Sequence, residues 1–136
     1  EGAFLNGQSL SVGGGKTLDQ CILGMDMSYN NEGAANGLEV IKSIWPGMQT
    51  LRVNGSSALG ISYVAAGRTD LYFNHQLAPW DQVAGLILIE EAGGVSTDRS
   101  GHRATMNSDG IIATNQPLLN QFMEATDGMN WRKTTH

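Results

Sequence analysis

The sequence predicts a layered α/β fold, a mixed β-sheet with flanking helices. Short apolar segments of strand length alternate along the chain with longer segments of helical length. Gly, Pro and Asn punctuate the changes between them. The 18 glycines of the 136-residue chain sit between apolar runs, which marks tight turns and not disorder. A chain of this length fits one domain with a real core.

Each element has its own reason. Ala3-Phe4-Leu5 and Ser9-Leu10-Ser11-Val12 flank Asn6-Gly7, a pair that tolerates positive φ at both turn centres, so a hairpin is expected. Gly13-Gly14-Gly15-Lys16 is a loop; Thr17 follows the lysine, but the upstream glycine spacing is wrong for a phosphate-binding P-loop. Gln20 to Met27 is mostly apolar and reads as a buried strand. Asn30 to Asn36 reads as a polar linker, followed by a short helix from Gly37 to Ile44 that Pro46-Gly47 stops. Met48 to Val53 is a strand. Asn54-Gly55-Ser56 opens a helix to about Ala66, with Gly67 as a left-handed cap. Leu71-Tyr72-Phe73 is a strand, and Pro79 fixes the start of a helix that ends at Gly93-Gly94. Val95 to Thr97 and Ile111 to Thr114 are strands with a charged loop between them. Pro117, in a first helical turn, starts a helix to about Ala125. A domain over residues 1–128 followed by a flexible tail over 129–136 is expected.

Composition excludes several functions. The net charge is -5 and no basic face invites nucleic acid. The longest apolar or Gly run, Val83 to Ile89, is too short to cross a bilayer. A phosphorylated ligand would need local neutralisation by a metal, because positive charge is scarce. The single Cys21 excludes an internal disulfide, reads as a small buried strand residue, and suits a reduced, cytoplasmic setting.

Trp80-Asp81 is the most informative pair. Asp81 opens a helix that is otherwise almost wholly apolar, where a carboxylate suits the positive end of the helix dipole. Two roles stay open on spacing alone: an N-cap, or a hard oxygen ligand at the edge of a packed core. Trp80 is expected to pack beneath the aspartate.

The stretch from Trp80 through Asp81, Ala84, Gly85 and Glu91 to Ala92-Gly93-Gly94 resembles the C-terminal signature of the inositol monophosphatase family, Mg²⁺-dependent, lithium-sensitive sugar phosphatases. Gly2-Ala3-Phe4-Leu5-Asn6-Gly7 resembles that family's hairpin. Gly55-Ser56-Ser57-Ala58-Leu59, leading into Val64 to Asp70, resembles its Gly-Ser-Ala-Ala helix and following turn. The resemblance implies the C-terminal half of an αβαβα sandwich, as in the fructose-bisphosphatase-like fold. It implies Mg²⁺ as cofactor, with Asp81 as a ligand near the leaving-group oxygen. It places Gly55, Ser56, Ser57, Ala58 and Asn74 at the substrate. Asn74 stands where inositol-processing members resemble Tyr-Tyr-Glu, which puts inositol 1-phosphate in doubt as the preferred substrate.

The family's Glu-Glu pair and Asp-Pro-Ile/Leu-Asp-Gly-Thr motif do not occur here, and family chains are about twice this long. The resemblance therefore implies a C-terminal half that carries no residue activating water, is inactive alone, and has the missing N-terminal half as its partner. The expected reaction is hydrolysis of a small sugar or inositol phosphate. Fructose 1,6-bisphosphate, a nucleotide 3′-phosphate, histidinol phosphate or a non-catalytic binding role are the alternatives. A homodimer is a further expectation, since the family commonly dimerises.

Other polar residues are weighed singly. His75 reads as a solvated strand-end residue, with the pocket wall as the alternative. Arg52 is expected to reach substrate or a structural carboxylate, and Arg68 to pair with Asp70 at the surface. Glu90-Glu91 lie at a helix C-terminus, where a neighbouring cation should offset their charge. Asp98, His102, Arg103 and Asp109 form a polar loop without metal spacing.

Overall fold

Successive side chains of a strand face opposite sides of its sheet, and the central strands here bury both sides. The computed structural model describes residues 2–27, 30–77 and 79–133, and the side chain of Asp81 is likewise outside the described set. A hairpin of β1 (Phe4–Leu5) and β2 (Gln8–Ser9) turns through Asn6 at φ 51° and Gly7 at φ 80°, as the Asn-Gly pair predicts. The main sheet contains β3 (Ile22–Met25), β4 (Thr50–Val53), β5 (Leu71–Asn74), β6 (Val95–Thr97) and β7 (Ile111–Thr114). The strand order is β4-β3-β5-β7-β6. Strands β4, β3 and β5 run parallel, and β7 is antiparallel to both its neighbours. The helices are α1 (Asn31–Ile44), α2 (Ser57–Ala65), α3 (Pro79–Glu91) and α4 (Gln116–Ala125).

Leu23, Met25, Leu71, Phe73 and Ile112 project to one side and pack with Val40 and Ile44 of α1 and Leu118 and Phe122 of α4. Tyr72, Ile111 and Ala113 project to the other side and pack with Ile61 and Val64 of α2 and Ile89 of α3. The result is three layers with a mixed sheet in the middle, the class expected from the sequence. No described helix is long and apolar enough to cross a membrane.

Three expectations need correction. The helix expected from Gly37 starts six residues earlier, at Asn31, because Asn30 caps it by accepting a hydrogen bond from the Gly33 N–H at 3.0 Å. Its buried face runs through Gly33, Gly37, Val40 and Ile44, a helical period whose first two members are glycines. The tail expected from residue 129 is built into the core over its described part: Asn130–Arg132 form a 3₁₀ turn and Trp131 is 1% exposed. Residues 134–136 lie outside the described residues. Arg68 does not serve Asp70; its guanidinium sits 5.7 Å from the Tyr63 ring centroid. Asp70 is buried instead, accepting from the Ile22 N–H at 2.7 Å and from Lys16 Nζ at 3.2 Å. That ties the glycine loop to the start of β3.

Cys21 is fully buried, as expected, and burial, reinforced by the Asp70 charge, pushes its thiol up to about 11. The thiolate is the reactive form, so native protein at pH 8 is expected to resist iodoacetamide and to label on unfolding in urea. Rapid labelling of native protein would contradict this burial.

Candidate functional site

Parallel strands deliver their carboxyl ends to one edge of a sheet, and ligand crevices of open α/β sheets form outside those ends. Here the ends of β3, β4 and β5 meet in a cleft of about 380 Å³. Asp26 follows β3, the Gly55–Ala58 turn follows β4, and Asn74 closes β5; all line the cleft. The substrate-facing residues expected from the sequence, Gly55, Ser56, Ser57, Ala58 and Asn74, are thus brought together.

Local chemistry fixes the turn. Gly55 adopts φ 75°, a conformation that costs other residues but not glycine. Its N–H donates to Asp26 Oδ1 at 2.6 Å. Ser56 is the N-cap of α2, its hydroxyl accepting from the Leu59 N–H at 3.2 Å. The orphan N–H groups that a first helical turn always leaves therefore lie at the cleft wall.

A buried hydrogen-bond chain runs behind the turn. Tyr72 Oη donates to Asp26 Oδ2 at 2.7 Å. Asn74 Nδ2 donates to Ser57 Oγ at 3.0 Å and to Tyr72 Oη at 3.2 Å. Tyr72 Oη and Ser57 Oγ are also 3.2 Å apart. Burial holds the Tyr72 hydroxyl well above its ordinary range, with neighbouring Asp26 adding to the shift, so it stays a neutral donor. Asn74 is 4% exposed, and its Oδ1 is buried without a hydrogen-bond donor.

Asp26 and Tyr72 were not singled out by sequence reasoning. The available signal was a carboxylate at the carboxyl end of an otherwise apolar strand.

Asp81 falls in the first turn of α3, and its side chain lies outside the described residues. Trp80, expected to pack beneath Asp81, is instead 75% exposed. Among the described residues no three His, Cys, Asp or Glu side chains converge. Both oxygens of Asp26 already accept hydrogen bonds. The described residues therefore do not fit a metal ion by themselves, since Mg²⁺ needs near-octahedral oxygen ligation.

None of the other polar residues weighed from the sequence is among the described residues that line this cleft. Arg52 is exposed and donates to Thr50 Oγ1 at 3.2 Å on its own strand. Glu90 meets Arg103 at 3.3 Å with both side chains exposed, which offsets charge at the helix end as expected but contributes little. Asp98 Oδ1 accepts from the Ser100 and His102 N–H groups and organises its loop. His75 is half-buried and lines a separate depression with Glu32 and Gly33; burial, then the nearby Arg99 charge, lowers its pKa.

Three layers, a mixed sheet and a hydroxyl- and amide-lined cleft at the strand ends define an α/β sandwich domain with an open strand-end cleft. The chain belongs to the inositol monophosphatase family, whose profile matches residues 1–127. It is 36% identical over 124 residues to the inositol-1-monophosphatase of Rhizobium meliloti, covering 90% of this chain and 47% of that protein. It is 37% identical over 126 residues to a Thermotoga maritima fructose-1,6-bisphosphatase/inositol-1-monophosphatase, covering 93% of this chain and 47% of that protein. The crystal structure of extragenic suppressor protein suhB from Bartonella henselae superposes with a TM-score of 0.85 at 31% identity, covering 93% of this chain and 49% of that one. The chain spans about half the length of the curated relatives it matches.

Proposed function

We infer that these residues form the substrate-facing part of a Mg²⁺-dependent phosphomonoesterase acting on a small sugar or inositol phosphate. The observation that carries the reading is the meeting of the Gly55–Ala58 turn with Asn74 at one strand-end cleft, in a chain of this family. Asp81, at the start of α3, contributes one hard oxygen ligand to the metal. When bound, Mg²⁺ supplies charge stabilisation to the leaving oxygen. The first-turn N–H groups of α2 and the Ser57 and Asn74 side chains orient the alcohol portion of the ester. The groups that activate water and complete the metal site come from outside these 136 residues. The reduced Cys21 is compatible with a cytoplasmic setting.

The test is Mg²⁺-dependent phosphate release by the full-length protein containing these residues, over a panel of sugar and inositol monophosphates and bisphosphates. Asp81→Asn is expected to lower turnover by roughly 100-fold or more and to raise the Mg²⁺ concentration needed for half-activity. Near-normal turnover and metal dependence in that variant would remove Asp81 from the metal site.

A further inference from the structure

Alternation gives β5 two faces. Tyr72 packs with α2 and α3, whereas Leu71 and Phe73 pack with α1 and α4. Past the strand end, Asn74 and Gln76 line the cleft already described. His75, between them, goes to the other side, into a depression of about 420 Å³ shared with Glu32, Gly33 and Lys133. Its imidazole lies against the first turn of α1. A side chain on Gly33 would begin 2.3 Å from His75 Cδ2 and 2.5 Å from Cγ, so only glycine lets the ring seat there. The backbone at this point is covered as closely: a side chain on Gly110 would begin 2.8 Å from the carbonyl oxygens of Asn74 and His75. The ring is thus the contact that fastens the end of β5 to α1.

That seat suits only the neutral ring. His75 Nδ1 is buried and has no hydrogen-bond partner among the described residues. The neutral imidazole therefore keeps its proton on Nε2. A second proton would make Nδ1 a buried donor without an acceptor, which is costly. The positive end of the α1 dipole faces the same ring. Around it, Arg99 after β6 and Lys133 after the Asn130–Arg132 turn are cationic, and Glu32 of α1 and Asp109 before β7 are anionic. Arg99 is 2% exposed and stands a loose 4.0 Å from Asp109, so its charge is poorly offset. Burial and Arg99 together outweigh the two carboxylates and lower the pKa of His75. The depression gives a charged ring an exit: turning away from Gly33 into it brings both nitrogens to water.

We propose that His75 is a pH-sensitive latch. Neutral, it holds the end of β5 on the first turn of α1; protonated, its ring leaves Gly33 for the depression and loosens the Asn74–Gln76 segment that walls the cleft on the opposite face. The latch goes beyond the phosphatase reading and operates without substrate. Its sign follows from the direction of the shift. The unfolded chain takes up the proton first as pH falls, so the latch stabilises fully above about pH 6.5, the ordinary histidine value, and the fold weakens as pH falls from there through the lowered folded value.

The experiment titrates the full-length protein, with isotope-labelled histidine rings and backbone amides, from about pH 8 to about pH 5 by NMR, without substrate. The His75 ring is assigned through its own backbone and is expected to titrate below the ordinary histidine value. The amides of Gly33 and Gln76, on opposite sides of the sheet end, are expected to shift with the same midpoint. In His75→Gln and His75→Leu that shared inflection should disappear. Their melting temperatures should fall over the same range by about half the wild-type drop. His75→Leu fills the seat with an apolar group that does not titrate, which separates loss of the proton from loss of packing. The wild-type titration decides by itself where a variant does not fold. Amides at Gly33 and Gln76 that stay flat through the His75 midpoint, an inflection that persists in a folded variant, or a His75 ring that titrates at or above the ordinary value overturns the latch.

Discussion

Replacing Gly60 by alanine is expected to destabilise the domain by about 3 kcal/mol, although the same change on an exposed helix face usually stabilises by up to about 1 kcal/mol. The sign reverses because of Tyr72. A methyl group at position 60 would lie 2.3 Å from Tyr72 Cε1 and 2.6 Å from Cδ1. The ring cannot step aside freely, because it is fully buried in the cluster that holds Ile61, Val64 and Ile89. Its hydroxyl is also held by Asp26 at 2.7 Å. Relief requires α2 to lift from the sheet or the ring to leave its site, and either movement disturbs the chain that fixes Asn74 and the Gly55 turn. Urea denaturation of the purified protein checks the stability, with Gly60→Ala/Tyr72→Leu as the second arm. The smaller leucine removes the overlap, so the double variant should lose less than the sum of the single losses. A Gly60→Ala protein as stable as wild type would mean that α2 does not press on Tyr72.

The sequence disclosed most of what depends on local pattern. Asn6-Gly7 identified the hairpin, the apolar runs identified β3, β5 and β7, and Ser56 and Gly67 bounded α2 close to where it lies. Helix α1 was shortened in the reading because Gly33 and Gly37 occupy its buried face, and glycine carries no apolar signal. Asp26 was illegible for a different reason. Its role depends on the parallel pairing of β3 with β5, in which Met25 lies beside Phe73. One residue further along, Asp26 and Asn74 come to the same edge, 48 positions apart in the chain by their numbers. Local sequence has no access to that neighbour. The Trp80 expectation failed because α3 is apolar around much of its circumference. Trp80, Val83 and Ile87 are exposed along it while Ile89 is fully buried, so hydrophobicity did not specify which face the core takes.

Trp131→Ala is expected to cost about 4 kcal/mol, the largest loss from a single truncation in the C-terminal segment. The indole is 1% exposed and meets Phe73 of β5 edge-on, with centroids 5.1 Å apart and an interplanar angle of 86°. Its contact with Phe122 of α4 has centroids 6.1 Å apart at 85°, and Phe73 and Phe122 are themselves 5.3 Å apart. Removing the indole takes away one corner of this aromatic triangle and leaves a cavity against α1. The backbone around it is anchored as well: Arg99 Nη1 donates to the carbonyls of Trp131 at 3.1 Å and Lys133 at 2.6 Å. Arg132 donates in turn to the carbonyls of Arg99 and Met123. With these anchors the segment cannot easily move inward to fill the space. Trp131 Nε1 is buried without an acceptor, so the indole N–H itself contributes no hydrogen bond. Trp131→Phe is therefore expected to lose much less than alanine, about 1.5 kcal/mol, because it restores most of the ring packing and removes the unpaired donor. Truncation after Gly128 should be at least as damaging as Trp131→Ala, since it removes the indole together with the carbonyls that satisfy the buried Arg99. Urea midpoints of the three variants decide the matter. If the truncated chain matched the intact one, residues 129–133 would be the dispensable tail that their polar sequence suggested, and the aromatic triangle would not hold the sheet to α1 and α4.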